Sequence, residues 1–308
     1  MIEPSPTSPA PRAERIALRV VGVLVTAIGS VPRSVAIWVA RALGPVAFLL
    51  ARGQRVRAEA NLREAWPDQP ADWVRATATD AFRHRLVTAY ELMRFARHGT
   101  AGLPPIEWSD RERLTAEIDR NGGVMLISAH LGNYWLIPLS LCAMGHPPSM
   151  LATLAPPTGR FSVRGIFRTY IYKEIMPAAG VKIVDTSGGA REAMTEELRT
   201  GAVLFVMADL PVGRVVEGRL LDAAHPLPVG PAEVAKSAEA VLLPAMTHRE
   251  PDGAHRIAVE SALSLDDPES AMHAYLALLE QHLRTAPPQW LWFHRHWQAV
   301  DRELAGSA

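Results

Sequence analysis

The sequence of 308 residues has little of several things that mark specialised classes of protein. Cys142 is its single cysteine, which excludes an internal disulfide and any cysteine-rich zinc or iron–sulfur site. Because 32 basic residues balance 32 acidic ones, a dedicated nucleic-acid-binding protein, which has a basic excess, is disfavoured. These absences leave a globular protein of a reducing compartment with no nucleic-acid partner.

The common catalytic and nucleotide-binding motifs are also missing. The sequence contains no G-x-S-x-G elbow, P-loop, H-E-x-x-H or G-x-G-x-x-G pattern. Among the histidines, only His294 and His296 have a spacing that suggests a metal site, and we interpret this pair as flanking a structural turn. We therefore expect no metal and no bound cofactor.

The N-terminal region has no apolar run that reaches the roughly 18–20 residues of a membrane-spanning helix. Two shorter uncharged stretches, residues 20–32 and 42–51, lie between arginines. They are typical either of helices in the membrane interface, with arginines reaching towards phosphates, or of buried helices in a bundle. Residues 1–15 are proline-rich, lack the basic start of a cleavable signal, and are predicted to be disordered.

Residues 54–98 are polar and helical in pattern. A first helix is predicted to end at Trp66–Pro67, and Asp72 is predicted to be the N-cap of the next helix. His84, Glu91 and His98 are expected on its solvated face. Because glycine and proline interrupt the pattern at residues 99–105, we predict a helical, membrane-associating region over 16–98 and a second domain over 106–300.

The second domain alternates apolar strands with helices. Strands are predicted at 124–128, 147–154, 181–185, 202–209, 240–248 and 255–260, with helices at 109–120, 134–144, 160–176, 189–200, 231–238 and 270–284. This alternation predicts an α/β fold with a largely parallel sheet flanked by helices. Reactive groups in such sheets lie beyond the carboxyl ends of strands, which singles out His130 and Asp209. A loop histidine there can be a general base, or simply a structural histidine.

Five segments, in chain order, resemble one family. SAHLGNYW (128–135) resembles the H-L-G-N-W-E segment of the bacterial lipid A biosynthesis acyltransferases and the related phosphatidylinositol mannoside acyltransferases, in the lysophospholipid acyltransferase superfamily. Further similar segments are ANLREAWPD (60–68), GAREAMTEELRTGAVLFVMADLPVG (189–213), LPVGPAEVAKSAEAVLLPA (227–245) and PPQWLWFHRHWQ (287–298). Domain 106–300 would then be the acyltransferase domain.

The resemblance implies roles for particular residues. His130 would be the general base, but the family's carboxylate five positions later is here Trp135, and an indole N–H cannot accept from the histidine. Asp209 is the best substitute, or it only caps the turn before Pro211. Backbone N–H groups of Gly132 and Asn133 would hold the oxyanion, and Asn133 would also suit an N-cap.

Two further residues are expected to contact the substrate. Arg164 would bind a phosphate of the donor or the acceptor, although Arg160, Arg164 and Arg168 also suit a solvated helix face. Trp135 would shape the acyl tunnel, or belong to the core.

The implied activity is transfer of a fatty acyl group from an acyl-thioester, on acyl carrier protein or coenzyme A, to a hydroxyl or amine of a lipid-linked acceptor. The protein would work at the cytoplasmic face of the inner membrane, as a peripheral or a monotopic protein. Two alternatives stay open: a non-catalytic relative that binds acyl chains or a partner, and a thioester or ester hydrolase.

Overall fold

A seven-stranded, largely parallel sheet lies at the centre of the structure, a computed structural model that describes residues 12–120, 122–152, 163–185, 189–294 and 296. The strand order is β1-β9-β8-β2-β5-β3-β4, and β6 and β7 form a separate antiparallel pair. Neighbours in the large sheet run parallel except β8 and β9. The strands are β1 Ile106–Trp108, β2 Val124–Ser128, β3 Ser149–Ala152, β4 Lys182–Asp185, β5 Val203–Met207, β6 Val215–Leu220, β7 Ala223–Pro228, β8 Val241–Arg249 and β9 His255–Val259.

Helices precede the sheet and cover both of its faces. They are α1 Arg12–Gly29, α2 Arg33–Leu50, α3 Arg52–Ala65, α4 Ala71–His98, α5 Arg111–Asp119, α6 Leu136–Ala143, α7 Val163–Tyr170, α8 Met176–Ala178, α9 Ala190–Arg199, α10 Gly230–Ser237 and α11 Pro268–Thr285. A π-helical segment, Ile171–Ile175, joins α7 to α8.

The central strand β2 divides the core into two layers. Met125 and Ile127 belong to an apolar cluster with α3, α9, α10, α11 and the first half of α4. Val124 and Leu126 belong to the cluster on the other face, with α5, α6 and the second half of α4. A parallel sheet covered on both faces needs such continuous apolar strands, so the predicted fold class is confirmed.

The six predicted strands are all found, with ends that differ by a few residues, but three strands were missed. β1 has only three residues, and β7 contains Pro226 and Pro228, which argue against a strand. Those prolines are tolerated because each strand of the β6–β7 pair has a free edge.

The structure corrects some predicted helix ends. The prediction of Asp72 as an N-cap is wrong, because α4 begins at Ala71 after Pro70 and Asp72 lies in its first turn. The stretch 153–162 is outside the described residues. It includes the last two residues of the predicted strand 147–154 and the first three of the predicted helix 160–176. The tip predicted over 1–15 is described only from residue 12, where α1 begins.

The helices α1 and α2 both pack on α4, and their outward faces are apolar. Of the fourteen large apolar side chains exposed in the described part of the chain, twelve lie between Ile16 and Leu50. Within that part, α2 (Arg33–Leu50) is the helix whose length and hydropathy would suffice to cross a membrane. The chain thus presents an extended apolar surface at one place, which is unusual for a soluble monomer.

We expect substitution of Gly29 by alanine to destabilise the packing of α1 on α4. A Cβ at residue 29 would lie 2.4 Å from the carbonyl oxygen of Met93, so the two helices would have to separate. Overpacking of this kind typically costs about 1–3 kcal/mol. Urea unfolding of Gly29→Ala should show this loss, whereas Gly53→Ala, in open space on α3, should gain up to about 1 kcal/mol. Equal stability of the two variants would contradict the close crossing of α1 and α4.

Candidate active site

His130 and Asp209 lie side by side beyond the carboxyl ends of two neighbouring strands. Ser128 at the end of β2 is in register with Met207 at the end of β5, and each candidate residue follows two positions later. Asp209 Oδ1 lies 2.8 Å from His130 Nδ1, and the His130 backbone N–H donates to Asp209 Oδ2 at 2.9 Å. Asp209 is fully buried, whereas 14% of the His130 side chain is exposed. The sheet therefore brings together the two residues that the sequence singled out.

A tryptophan in the C-terminal segment completes the surroundings of Asp209. Trp290 Nε1 donates to Asp209 Oδ2 at 2.8 Å. The same segment pairs with the histidine loop, since Leu291 N–H donates to His130 O at 3.0 Å and Gly132 N–H donates to Gln289 O at 2.9 Å. The position of this tryptophan was not predicted, because nothing in the local sequence indicates which strand end the segment reaches.

The charge on Asp209 follows from these contacts. Burial on its own raises the pKa of a carboxyl group, but the attraction of His130 and the hydrogen bonds it donates outweigh burial and hold the pKa of Asp209 well below its usual value. Asp209 is thus an ionised carboxylate that fixes the Nδ1 side of the His130 ring. Nε2 is then the ring nitrogen left for proton transfer.

Gly132 is required by the shape of the loop. Its φ is +60°, and a Cβ would lie 2.0 Å from the carbonyl oxygen of Thr247. Since its N–H is donated to Gln289 O, Gly132 has no free N–H for an oxyanion.

Asn133 is fully buried but does not cap the following helix. Its Nδ2 donates to Glu91 Oε2 at 2.9 Å, and the N-cap position of α6 is Trp135. The N-cap interpretation of Asn133 is therefore wrong. Among the described residues, the Asn133 N–H has no backbone carbonyl partner. Of the two N–H groups expected to hold the oxyanion, it is therefore the one that stays a candidate.

A cavity of about 530 Å³ opens against His130. The loop around His130, α4, α7 with the π-helical segment, and the C-terminal segment form its walls. Trp135 and Tyr172 meet edge to face in this wall, with ring centroids 5.8 Å apart. No carboxylate is among the described lining residues, which are Ala81, His84, Arg85, Thr88, Ala89, Leu92, His130, Gly132, Tyr134, Trp135, Gly165, Phe167, Arg168, Ile171, Tyr172, Leu210, Gln289, Trp290, Leu291, Phe293 and His294.

The structure describes only part of the arginine face that was predicted to bind a phosphate. Arg164 lies on α7, but its side chain is outside the described residues, as is all of Arg160. Arg168, one turn after Arg164, is exposed and lines the cavity.

Glu91 corrects one expectation, since the prediction of a solvated Glu91 is wrong. Its side chain is only 2% exposed and pairs with Arg249 at 2.6 Å. Burial raises the pKa of such a group, but Arg249 and His255 lower the pKa of Glu91 to about 2. A signal was present in the sequence: Val87, Glu91 and Phe95 share one helix face at intervals of four, and both apolar residues are buried.

The two histidines near the C-terminus have different surroundings. His296 is fully buried, stacks on Trp290 with ring centroids 3.8 Å apart, and contacts Leu291 O through Nε2. Burial lowers the pKa of His296 to about 4, so the ring is neutral. His294 lies closer to the site, with its ring centroid 5.0 Å from that of His130.

Comparison with known proteins gives one family. The pattern of the family described as bacterial lipid A biosynthesis acyltransferase matches residues 6–299. Among curated proteins, none matches the chain.

We expect the stability of the protein to fall in acid partly through Asp209. Because its pKa is lower in the folded than in the unfolded state, its contribution is full above the unfolded value of 3.8 and is lost as the pH falls towards the folded value. The free energy of unfolding in urea should therefore decrease from about pH 6 to about pH 3, and less steeply in Asp209→Asn. The exposed control Asp68→Asn should follow the wild-type slope. Parallel curves for all three proteins would contradict an ionised, hydrogen-bonded Asp209.

Proposed function

The chain belongs to the family of bacterial lipid A biosynthesis acyltransferases, and we propose that it moves a fatty acyl group from an acyl-thioester to a hydroxyl or amine of a lipid-linked acceptor. The family supports acyl transfer as the reaction class. The observation that carries the finer proposal is the 2.8 Å contact between His130 Nδ1 and Asp209 Oδ1, at the wall of the 530 Å³ cavity.

In the proposed reaction, His130 Nε2 removes the proton from the acceptor O–H or N–H as that atom attacks the thioester carbonyl carbon. The carbonyl becomes an oxyanion, for which the Asn133 N–H is the proposed donor. The intermediate then collapses, the C–S bond breaks, and the protonated His130 returns the proton to the leaving thiolate. A positioned base of this kind is worth roughly 10²–10⁴ in rate.

Asp209 would stabilise the imidazolium that forms during this step. Its carboxylate accepts from the Nδ1 side of the ring, which is the part that the family's carboxylate five positions after the histidine would have played. The main argument for a non-catalytic binding protein is the tryptophan at that position. Asp209 supplies the missing group, so the transferase is favoured over the binding protein.

The cavity suits an acyl-thioester donor, on acyl carrier protein or coenzyme A, as a cosubstrate rather than a bound cofactor. Its wall is apolar around Leu92, Trp135 and Ile171, where an acyl chain would lie, and Trp135 would limit the chain's length. Arg168 is exposed in the cavity wall, and a phosphate of the donor or acceptor would bind its guanidinium. Arg164 stays a candidate for the same contact.

The proposed place of work is the surface of the inner membrane, on its cytoplasmic side. The exposed apolar faces of α1 and α2 would enter the interface, with the exposed arginines Arg15 and Arg19 near lipid phosphates. Attachment would be peripheral, so detergent or high salt should release the protein.

We expect His130 and Asp209 to act as a unit in acyl transfer. His130→Ala should lower turnover by at least about 100-fold, Asp209→Asn nearly as much, and the double variant hardly more than either. Thioester release from acyl carrier protein and from coenzyme A measures turnover, and product analysis with and without a lipid acceptor separates transfer from hydrolysis. Trp135→Glu should not rescue Asp209→Asn fully, because a carboxylate buried in that apolar wall without a partner is costly.

Three results would contradict these expectations. Full turnover of His130→Ala would end the general-base mechanism. A silent Asp209→Asn together with a more active Trp135→Glu would show that His130 works without Asp209. Release of free fatty acid whether or not an acceptor is present would favour the hydrolase.

We expect the apolar face of α1 to bind vesicles of anionic phospholipid. Val23 on α1 and Val212 in the loop after β5 are matched, at 70% and 73% exposure. Val23→Glu should weaken vesicle binding by about tenfold or more, because burying a valine is worth roughly 1.5 kcal/mol or more. Val212→Glu should change it little. Co-sedimentation measures both, and equal effects, or no wild-type binding, would contradict the assignment.

A further inference from the structure

Glu91 is the centre of a buried polar cluster next to the loop that carries His130. Its Oε2 accepts from Arg249 Nη2 at 2.6 Å and from Asn133 Nδ2 at 2.9 Å. Its Oε1 lies 3.2 Å from His255 Nε2 and 3.8 Å from Arg33 Nη2. The side chains of Glu91 and Arg249 are 2% and 8% exposed, so the cluster is shielded from solvent.

A cluster of this kind is a poor way to stabilise a fold. Buried ion pairs lose their hydration, and replacing them by apolar side chains of similar volume is often neutral or stabilising. Removal of Glu91 alone would leave Arg249 buried without its partner, so the apt comparison is an apolar pair that replaces both residues. A carboxylate at this position therefore points to a role beyond stability.

Two hydrogen-bonded routes lead from Glu91 to consecutive residues of the histidine loop. The first is direct, through the side chain of Asn133. The second passes through Arg249, whose backbone N–H donates to Gln289 Oε1 at 2.7 Å and whose carbonyl accepts from Gln289 Nε2 at 2.8 Å. Gln289 O in turn accepts from Gly132 N–H at 2.9 Å.

The two routes fix the loop at its far side from Asp209. Asp209 holds His130 through the ring and the backbone N–H, while Glu91 holds Asn133 and, through Arg249, Gly132. The general base and the proposed oxyanion donor are thus each anchored by a different buried carboxylate. Their separation across the reacting carbonyl depends on both anchors.

We propose that Glu91 is a positioning residue for acyl transfer, which sets the Asn133 N–H relative to His130 without touching the substrate. The inference rests on the proposed function. It assigns to α4, an element outside the histidine loop, control over the geometry of the transition state. A displacement of about 1 Å at such a site can lower the rate by about 100-fold.

The test is an exchange of the two hydrogen-bonding partners. Glu91→Gln places an amide N–H against donors, and Asn133→Asp places a carboxylate against Glu91. Each single variant should lower kcat by about tenfold to 100-fold, with KM for the acyl-thioester within about twofold. The double variant Glu91→Gln/Asn133→Asp restores one donor and one acceptor, so kcat should recover at least about tenfold over the weaker single variant. The exposed Glu64→Gln on α3 is the matched control and should be silent.

A second variant serves if Glu91→Gln does not fold. Asn133→Ala keeps the backbone N–H and removes only the amide that Glu91 holds, so kcat should fall with KM unchanged. A merely structural Glu91 would reduce the folded fraction but leave kcat per folded molecule unchanged, which overturns the proposal. Wild-type kcat in both Glu91→Gln and Asn133→Ala would also overturn the proposal. If His130→Ala were inactive in the same assay, the acyltransferase mechanism would still stand. A wild-type protein that transfers no acyl group would overturn both.

Discussion

The candidate site depends on the hydrogen bonds that the carboxylate of Asp209 accepts. It accepts three N–H groups, two from His130 and one from Trp290, and it does so in a fully buried position. A buried carboxylate without such donors would be neutral or destabilising. The strand register of β2 and β5 and the path of the C-terminal segment are therefore parts of one hydrogen-bonded unit.

The second buried carboxylate, Glu91, stands on the helical side of the same loop. The two carboxylates have different partners, since Asp209 contacts an imidazole and Glu91 contacts an amide and a guanidinium. Between them lies a loop of four residues whose backbone bends at Gly132, where only glycine fits. Rigid neighbours on both sides give such a short loop a defined shape, which is what a preorganised site requires.

Much of this architecture is readable from the sequence, because it follows from local patterns. Continuous apolar strands predicted the sheet, and the residues after two of them, His130 and Asp209, proved to be neighbours. The resemblance to the acyltransferase family implied a carboxylate partner for His130, and its absence at Trp135 directed attention to Asp209.

The remaining contacts depend on pairings between distant residues, which local patterns do not specify. Glu91 meets Arg249 across a separation of 158 residues, and Asp209 meets Trp290 across 81. Helix periodicity places Glu91 on the buried face but does not name its partners. The β6–β7 pair was missed because the prolines at 226 and 228 argue against a strand unless its edge is known to be free.

The hydrogen bond from Trp290 to Asp209 also orders events during synthesis of the chain. The apolar helices α1 and α2 end at Leu50, some 240 residues before Trp290 is added. At about 5–20 residues per second, roughly 12–48 seconds separate the two. If the first helices bind a lipid surface as proposed, the nascent chain would reach that surface well before the carboxylate beside His130 has received its last donor, and attachment would precede the completion of the proposed site.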